Sequence, residues 1–195
     1  MKLFMKHAIS FLLILFGFSS CAIIMESFKP KGFTYRYKAE YTGIDTLLNI
    51  DGYFLNDSSC KAVMFYRDGS AAVMEVVDEG DLLQENKNKY YYYPRWGSYR
   101  IEGDTIKAQI IYSYGGTRSI EAGFYCYIIK SRDSLEYFTR GYYTDSTAFK
   151  KKYVEETVNI PLIYHPYPGR MDSINWTKKH RWFWDKEAYK NRKKQ

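Results

Sequence analysis

Residues 96–111 read Trp96-Gly97-Ser98-Tyr99-Arg100-Ile101-Glu102-Gly103-Asp104-Thr105-Ile106-Lys107-Ala108-Gln109-Ile110-Ile111. Two runs rich in aromatic and β-branched residues flank Glu102-Gly103-Asp104. Such runs fit a pleated, half-buried surface, and the glycine supplies the positive φ that a tight turn needs. The stretch therefore predicts a β-hairpin. An earlier segment has the same plan: Val63 to Tyr66 and Ala71 to Val77 enclose Arg67-Asp68-Gly69-Ser70, a second hairpin with an Asp-Gly turn.

Working outward, Phe33-Thr34-Tyr35-Arg36-Tyr37-Lys38 alternates apolar and polar side chains, the period of a strand. Leu47 to Leu55 and Ile120 to Ile129 are further strand candidates. Ser131-Arg132-Asp133-Ser134 turns into Leu135 to Tyr143, and Lys152 to Ile160 is the last candidate before Pro161, Pro166 and Pro168, where regular structure is expected to end. About eight to ten short strands at roughly ten-residue spacing predict an all-β fold. Successive hairpins favour an antiparallel meander forming a small barrel or barrel-like sheet, because closure removes exposed edges. From Asp172, the residues Trp176, His180, Phe183, Trp184 and Ala188 share one side of a helical projection, which predicts a basic, aromatic C-terminal helix over 171–195.

The N-terminus carries an address. Lys2 and Lys6 precede an uncharged run from Ala8 to Met25, and Ser19-Ser20 supply small residues before Cys21. A basic start, an apolar run and a small-residue exit describe a secretory signal over 1–20. The alternative is an uncut anchor, since eighteen uncharged residues reach the lower edge of spanning length. Phe18-Ser19-Ser20-Cys21 resembles a bacterial lipobox, with Phe18 where Leu is commonest. The resemblance implies a diacylated Cys21 as the first residue of the mature chain, and two acyl chains hold a membrane stably where one does not. Residues 21–32 then form a tether and 33–170 the β-domain. Ala22 does not resemble the Asp that retains some lipoproteins at the inner membrane, so the expected location is the outer membrane, facing the periplasm.

Residues 21–175 carry 19 Lys and Arg against 20 Asp and Glu, whereas 176–195 carry 8 against 2. The basic balance belongs to the tail, and a near-neutral domain with an export signal argues against a nucleic-acid partner. Trp182, Lys186 and Tyr189 are candidates for contact with anionic headgroups, as in basic aromatic helices; the plainer reading packs the tail's aromatic stripe on the barrel. With Cys21 lipidated, Cys60 and Cys126 remain. They are a candidate disulfide in an oxidising compartment, or two free thiols.

The Gly52-Tyr53 strand, the Phe65-Tyr66-Arg67-Asp68-Gly69 hairpin and the 96–106 segment resemble small lipocalin-like bacterial lipoproteins over roughly half the chain. The Gly-x-Trp signature near the start of true lipocalins is missing. The resemblance implies a barrel for a small apolar or amphipathic ligand, for which Tyr53, Phe65, Trp96, Tyr99 and Phe124 are candidate lining residues; small barrels also fill their interiors with such side chains. The alternative role is a structural or interaction subunit of an envelope complex, using the Tyr90–Tyr93 run and the basic tail. Asp45-Thr46-Leu47, Asp104-Thr105-Ile106, Asp133-Ser134-Leu135, Asp145-Ser146-Thr147 and Asp172-Ser173-Ile174 look like O-glycosylation acceptors of Bacteroidetes envelope proteins, nominating Thr46, Thr105, Ser134, Ser146 and Ser173. Asp followed by a hydroxyl residue is equally ordinary turn chemistry. Nucleophile elbows, phosphate-cradling glycine loops and clusters of metal ligands are missing from the sequence. No metal, cofactor or enzymatic activity is expected.

Overall fold

The computed structural model describes residues 30, 32–56, 61–75, 94–113, 120–146, 150–167 and 175–192. The 96–111 hairpin forms as strands β4 (Arg95–Glu102) and β5 (Thr105–Ser113), with Glu102 opposite Thr105 and Ile101 opposite Ile106. Strands β2 (Lys61–Phe65) and β3 (Ser70–Glu75) make the second hairpin, Phe65 facing Ala71. Its turn is closed by the Asp68 carboxylate, which accepts from the Ser70 amide at 3.0 Å and the Ser70 hydroxyl at 2.6 Å.

Four more strands complete the wall: β1 (Gly52–Asn56), β6 (Ile120–Ser131), β7 (Ser134–Ser146) and β8 (Lys150–Pro166). Each pairs antiparallel with its neighbour in sequence, and β1 pairs with β8, so eight strands close into an up-and-down barrel. The last strand corrects an expectation. Pro161 does not end it; the strand runs on to Pro166. The β1 pairing extends only from Pro166 to Ile163, so at Pro161 the registered partner lies on the β7 side alone. A residue without an N–H is tolerated where one side of the strand is unpaired.

Inward and outward faces follow from strand alternation. Phe54, Val63, Phe65, Ala71, Val73, Tyr99, Ile106, Ala108, Ile110, Tyr127, Leu135, Tyr137 and Leu162 form one internal cluster. A one-turn helix, α1 (Ile44–Leu47), adds Ile44, Leu48 and Ile50 to it and closes one end. The expected strand over Leu47 to Leu55 therefore splits into this cap and β1. The cap is fastened to the turns beneath it: Asn49 N donates to Arg132 O at 2.9 Å, Thr42 N donates to Arg67 O at 2.9 Å, and Arg67 pairs with Asp45 at 2.7 Å. The outer face of β1–β4 carries a second buried cluster with Tyr53, Met64, Met74 and Trp96.

Residues 33–38 alternate as a strand should but do not join the barrel. They run as an extended strap outside it, with one parallel bridge between Tyr37 and Trp184. The strap is held by the tail: Tyr37 N donates to Phe183 O at 2.9 Å and Asp185 N donates to Tyr37 O at 2.8 Å. The tail is likewise not one helix. Two 3-10 turns (Trp176–Lys179 and Arg181–Phe183) precede α2 (Lys186–Arg192), with extended residues at His180 and Trp184. The breaks satisfy the strap's backbone and let adjacent Trp182 and Phe183 both bury, with Phe33, Tyr37, Ile111 and Ala122. Phe183 stacks between Phe33 at 5.6 Å and Tyr37 at 5.1 Å. Burying such a ring contributes about 1.5–3 kcal/mol, enough for tertiary packing to override helical periodicity. Below them Asp68 ties three elements, accepting from Tyr37 Oη at 2.8 Å and Lys178 Nζ at 2.6 Å. Burial raises the Asp68 pKa, but the hydrogen bonds from Lys178 and Ser70 outweigh it and hold the carboxyl below its usual range.

Candidate functional site

The barrel has two unlike ends. At the α1 end the connections are short turns at 67–69, 103–104 and 132–133. At the other end the strands are joined by 57–60, 76–93, 114–119 and 147–149, which lie outside the described residues. The internal face changes character towards that second end. On β5 the inward series Ile106, Ala108, Ile110 continues to Tyr112, and on β6 the series from Tyr127 continues to Tyr125, Gly123 and Glu121. On β4 Tyr99 and Gly97 lead to Arg95. On β7 an irregularity between Tyr137 and Thr139 resets the phase, so that Arg140 lies opposite Tyr125.

These residues meet. Tyr112 stacks on Tyr125 at 6.2 Å, Tyr125 on Tyr137 at 5.6 Å, and Tyr137 lies 5.3 Å from Tyr127. The Arg95 guanidinium sits 4.8 Å from the centre of the Tyr112 ring, a cation–π contact. Arg140 donates to Glu156 through Nε at 2.7 Å. The buried carboxylate side chain of Glu121 is on the same inward face. The Tyr112 ring covers Gly123, where a Cβ would come within 2.5 Å of it. Its hydroxyl is buried with no hydrogen-bond partner among the described residues. Burial pushes the phenols of Tyr125, Tyr127 and Tyr137 well above the usual tyrosine range, and the charges of Arg95 and Arg140 pull Tyr125 part of the way back.

Comparison with family models, with curated proteins and with solved structures returns no match to this chain. The chemistry must be read from the barrel itself. Flat tyrosine faces beside the Arg95 guanidinium, with Arg140 shared with Glu156, suit a group that is mostly apolar and carries one anionic end. Among the described residues, no group of three or more His, Cys, Asp or Glu is placed to hold a metal ion.

The structure sorts the expected lining residues differently. Phe65 and Tyr99 face inward, 5.3 Å apart, but in the packed half near α1, where the Tyr99 hydroxyl donates to Tyr66 O at 2.7 Å. Tyr53 and Trp96 belong to the outer cluster, and Phe124 points outward against Tyr35 at 5.2 Å. Composition and motif do not single out Tyr112, Tyr125, Tyr137, Arg95 and Arg140. The signal was the phase of each strand: every second residue back from Tyr99 and Tyr127 reaches Arg95 and Tyr125.

The remaining candidates are dispersed. Cys126 is a free, half-buried thiol whose pKa burial raises, and Cys60 lies outside the described residues. So do Cys21, Tyr90–Tyr93 and Ser173, while of Ser146 only the backbone is described. Thr46, Thr105 and Ser134 gather at the α1 end, each hydroxyl in a short local hydrogen bond: to Gly43 O at 2.7 Å, to Asp104 Oδ1 at 3.0 Å and with Ser131 Oγ at 2.8 Å. Trp182, Lys186 and Tyr189 line one surface groove of about 620 Å³, but Trp182 is only 9% exposed and serves as a wall.

Proposed function

We propose that this chain is a membrane-anchored envelope lipoprotein whose barrel binds a small amphipathic ligand at the end opposite α1. The observation that carries the ligand reading is the internal tyrosine stack of Tyr112, Tyr125 and Tyr137 beside Arg95 and Arg140. A planar or aliphatic part would lie on the rings, and a carboxylate, sulfonate or phosphate would take hydrogen bonds from the guanidiniums. The Tyr112 hydroxyl, with no hydrogen-bond partner among the described residues, supplies one further donor. Tyr127 and Tyr137 belong to the same packed core as Phe54, Phe65 and Ile106, with Tyr112 and Tyr125 packed against it, so a ligand would reach only the outer end of the stack and would be short. That same filling favours the second reading, an interaction subunit that works through its outer surface.

Anilinonaphthalene sulfonate, which joins an aromatic body to an anion, is a suitable probe. The full chain is expected to bind it, and Arg95→Gln with Arg140→Gln should weaken binding about tenfold or more per arginine, since a charge-assisted hydrogen bond is worth about 1.5–3 kcal/mol. Circular dichroism of the variant excludes a merely loosened fold. Equal binding by both proteins would defeat the ligand reading. The anchor is tested separately by intact mass: the membrane-extracted chain should have lost residues 1–20 and gained acyl mass at Cys21, and Cys21→Ala should show neither change. A chain that keeps residues 1–20 and carries no lipid would instead have an uncut N-terminal anchor.

A further inference from the structure

The strap and the tail cover the wall of the barrel formed by β5 and β6, where Ile111 and Ala122 meet Trp182 and Phe183. Between strap and tail runs the groove of about 620 Å³ lined by Arg36, Arg181, Lys186 and Lys190, with Trp184 and Tyr189 and a single carboxylate, Asp185. That carboxylate is engaged in capping α2, where it accepts from the amides of Glu187 at 3.0 Å and Ala188 at 3.4 Å. Glu187, just outside, pairs with Lys190 at 2.9 Å. The groove therefore keeps an excess of positive charge. Lys186, Lys190 and Arg181 are exposed. Trp184 is oriented by its indole N–H, which donates to Lys178 O at 2.8 Å.

The N-terminal chain joins the fold on this same face. Phe33 packs between Trp182, at 6.0 Å, and Phe183, and its amide donates to Pro30 O at 3.3 Å. Phe33 lies twelve positions after Cys21, a span of about 40 Å at full extension. An anchor at Cys21 would tether the barrel from this face.

We infer that the groove between strap and tail seats the anionic phospholipid headgroups of the anchoring membrane, so that the barrel lies with its β5–β6 wall towards the bilayer. The orientation rests on the lipid anchor proposed above; the groove's preference for anionic headgroups does not. Phosphate groups would lie among Lys186, Lys190 and Arg181, with Tyr189 and Trp184 at the depth that amphipathic rings favour. A lysine close to an anionic surface contributes about 1 kcal/mol, and the contact is screened by salt.

The test uses the full chain, extracted from membranes and reconstituted into vesicles of phosphatidylcholine alone or mixed with brominated phosphatidylglycerol. Three of the four tryptophans, Trp176, Trp182 and Trp184, lie in the tail, so quenching of tryptophan fluorescence reads this face. Quenching by the brominated anionic lipid is expected, with loss in high salt and in Lys186→Glu with Lys190→Glu. Lys61→Glu with Lys130→Glu, an equal change of net charge elsewhere on the barrel, should leave it intact. A chain that floats with both vesicle types but shows no quenching overturns the groove and leaves the anchor standing. Equal loss in the two double variants also overturns it, because diffuse charge would then suffice. Salt-reversible binding to anionic vesicles only, by a chain with no acyl mass, upholds the groove and removes the anchor.

Discussion

Above about pH 10 the barrel is expected to unfold in one steep transition. Tyr37, Tyr127 and Tyr137 are 4%, 3% and 8% exposed, and burial holds each phenol far above its ordinary value. For Tyr37 the neighbouring Asp68 carboxylate adds to the effect through its charge and its hydrogen bond. A raised pKa in the folded state means that the stabilisation is complete below the unfolded tyrosine value of about 10 and is lost as the pH rises past it. Each phenol kept protonated in the fold but ionised in the open chain costs about 1.4 kcal/mol per pH unit. Three together cost about 4 kcal/mol per unit, against a total stability of about 5–15 kcal/mol for a typical domain. Collapse is therefore expected within about two or three units above 10. Phenolate absorbance and near-ultraviolet circular dichroism, followed on one sample, should change together. Phenolate appearing near pH 10 while the dichroism persists would mean that water reaches these rings in the fold.

Replacing Gly97 by alanine should destabilise the barrel by about 3 kcal/mol, near the upper end of what overpacking costs. A Cβ on Gly97 would lie 1.8 Å from the carbonyl oxygen of Gln109 and 2.9 Å from Cα of Ile110. The obstacle is the backbone of β5, so no side-chain rotation relieves it, and the β4–β5 pairing must open. Gly52 meets the same constraint where the barrel closes, 2.0 Å from His165 O. Such glycines mark the places where a small barrel bends sharply enough for one strand's backbone to occupy a neighbour's side-chain space. In urea the midpoint should fall without a change in slope. An unchanged midpoint would mean that the two strands are further apart at Gly97 than described.

Much of this architecture could be read from the chain. The Gly69 and Gly103 turns, both at positive φ, fall where the sequence put them, and each closes the hairpin its flanks predict. The meander follows from hairpins in succession. What could not be read has a common physical cause: alternation reports that a segment has two faces, and says nothing of what covers each. Ala62-Val63-Met64-Phe65 is apolar on both sides because both sides are buried, the inner by the core and the outer within the second cluster. Alternation therefore does not mark which set points inward, and Tyr53 and Trp96 face outward. The strap at Phe33–Lys38 alternates because it lies on the barrel wall, a half-buried setting like that of a strand. Arg140 was hidden for another reason. The irregularity after Tyr137 turns an otherwise outward position inward, and nothing in Tyr137-Phe138-Thr139-Arg140 announces it.

The seam between β1 and β8 has a consequence in time. Gly52–Leu55 and Ile163–Pro166 are partners across about a hundred residues of intervening chain. The Tyr37–Trp184 bridge encloses that pairing in a still longer loop. A chain that emerges from its N-terminus can zip each hairpin from β2 to β7 as it appears, because those partners are close in sequence. The seam must wait for nearly the last strand, and contacts so remote in sequence are slow to find. Until then β1 and β7 each present a bare edge, open to pairing with another chain. β8, which arrives after the seven strands before it, thus decides whether they become a ring or remain an open ribbon.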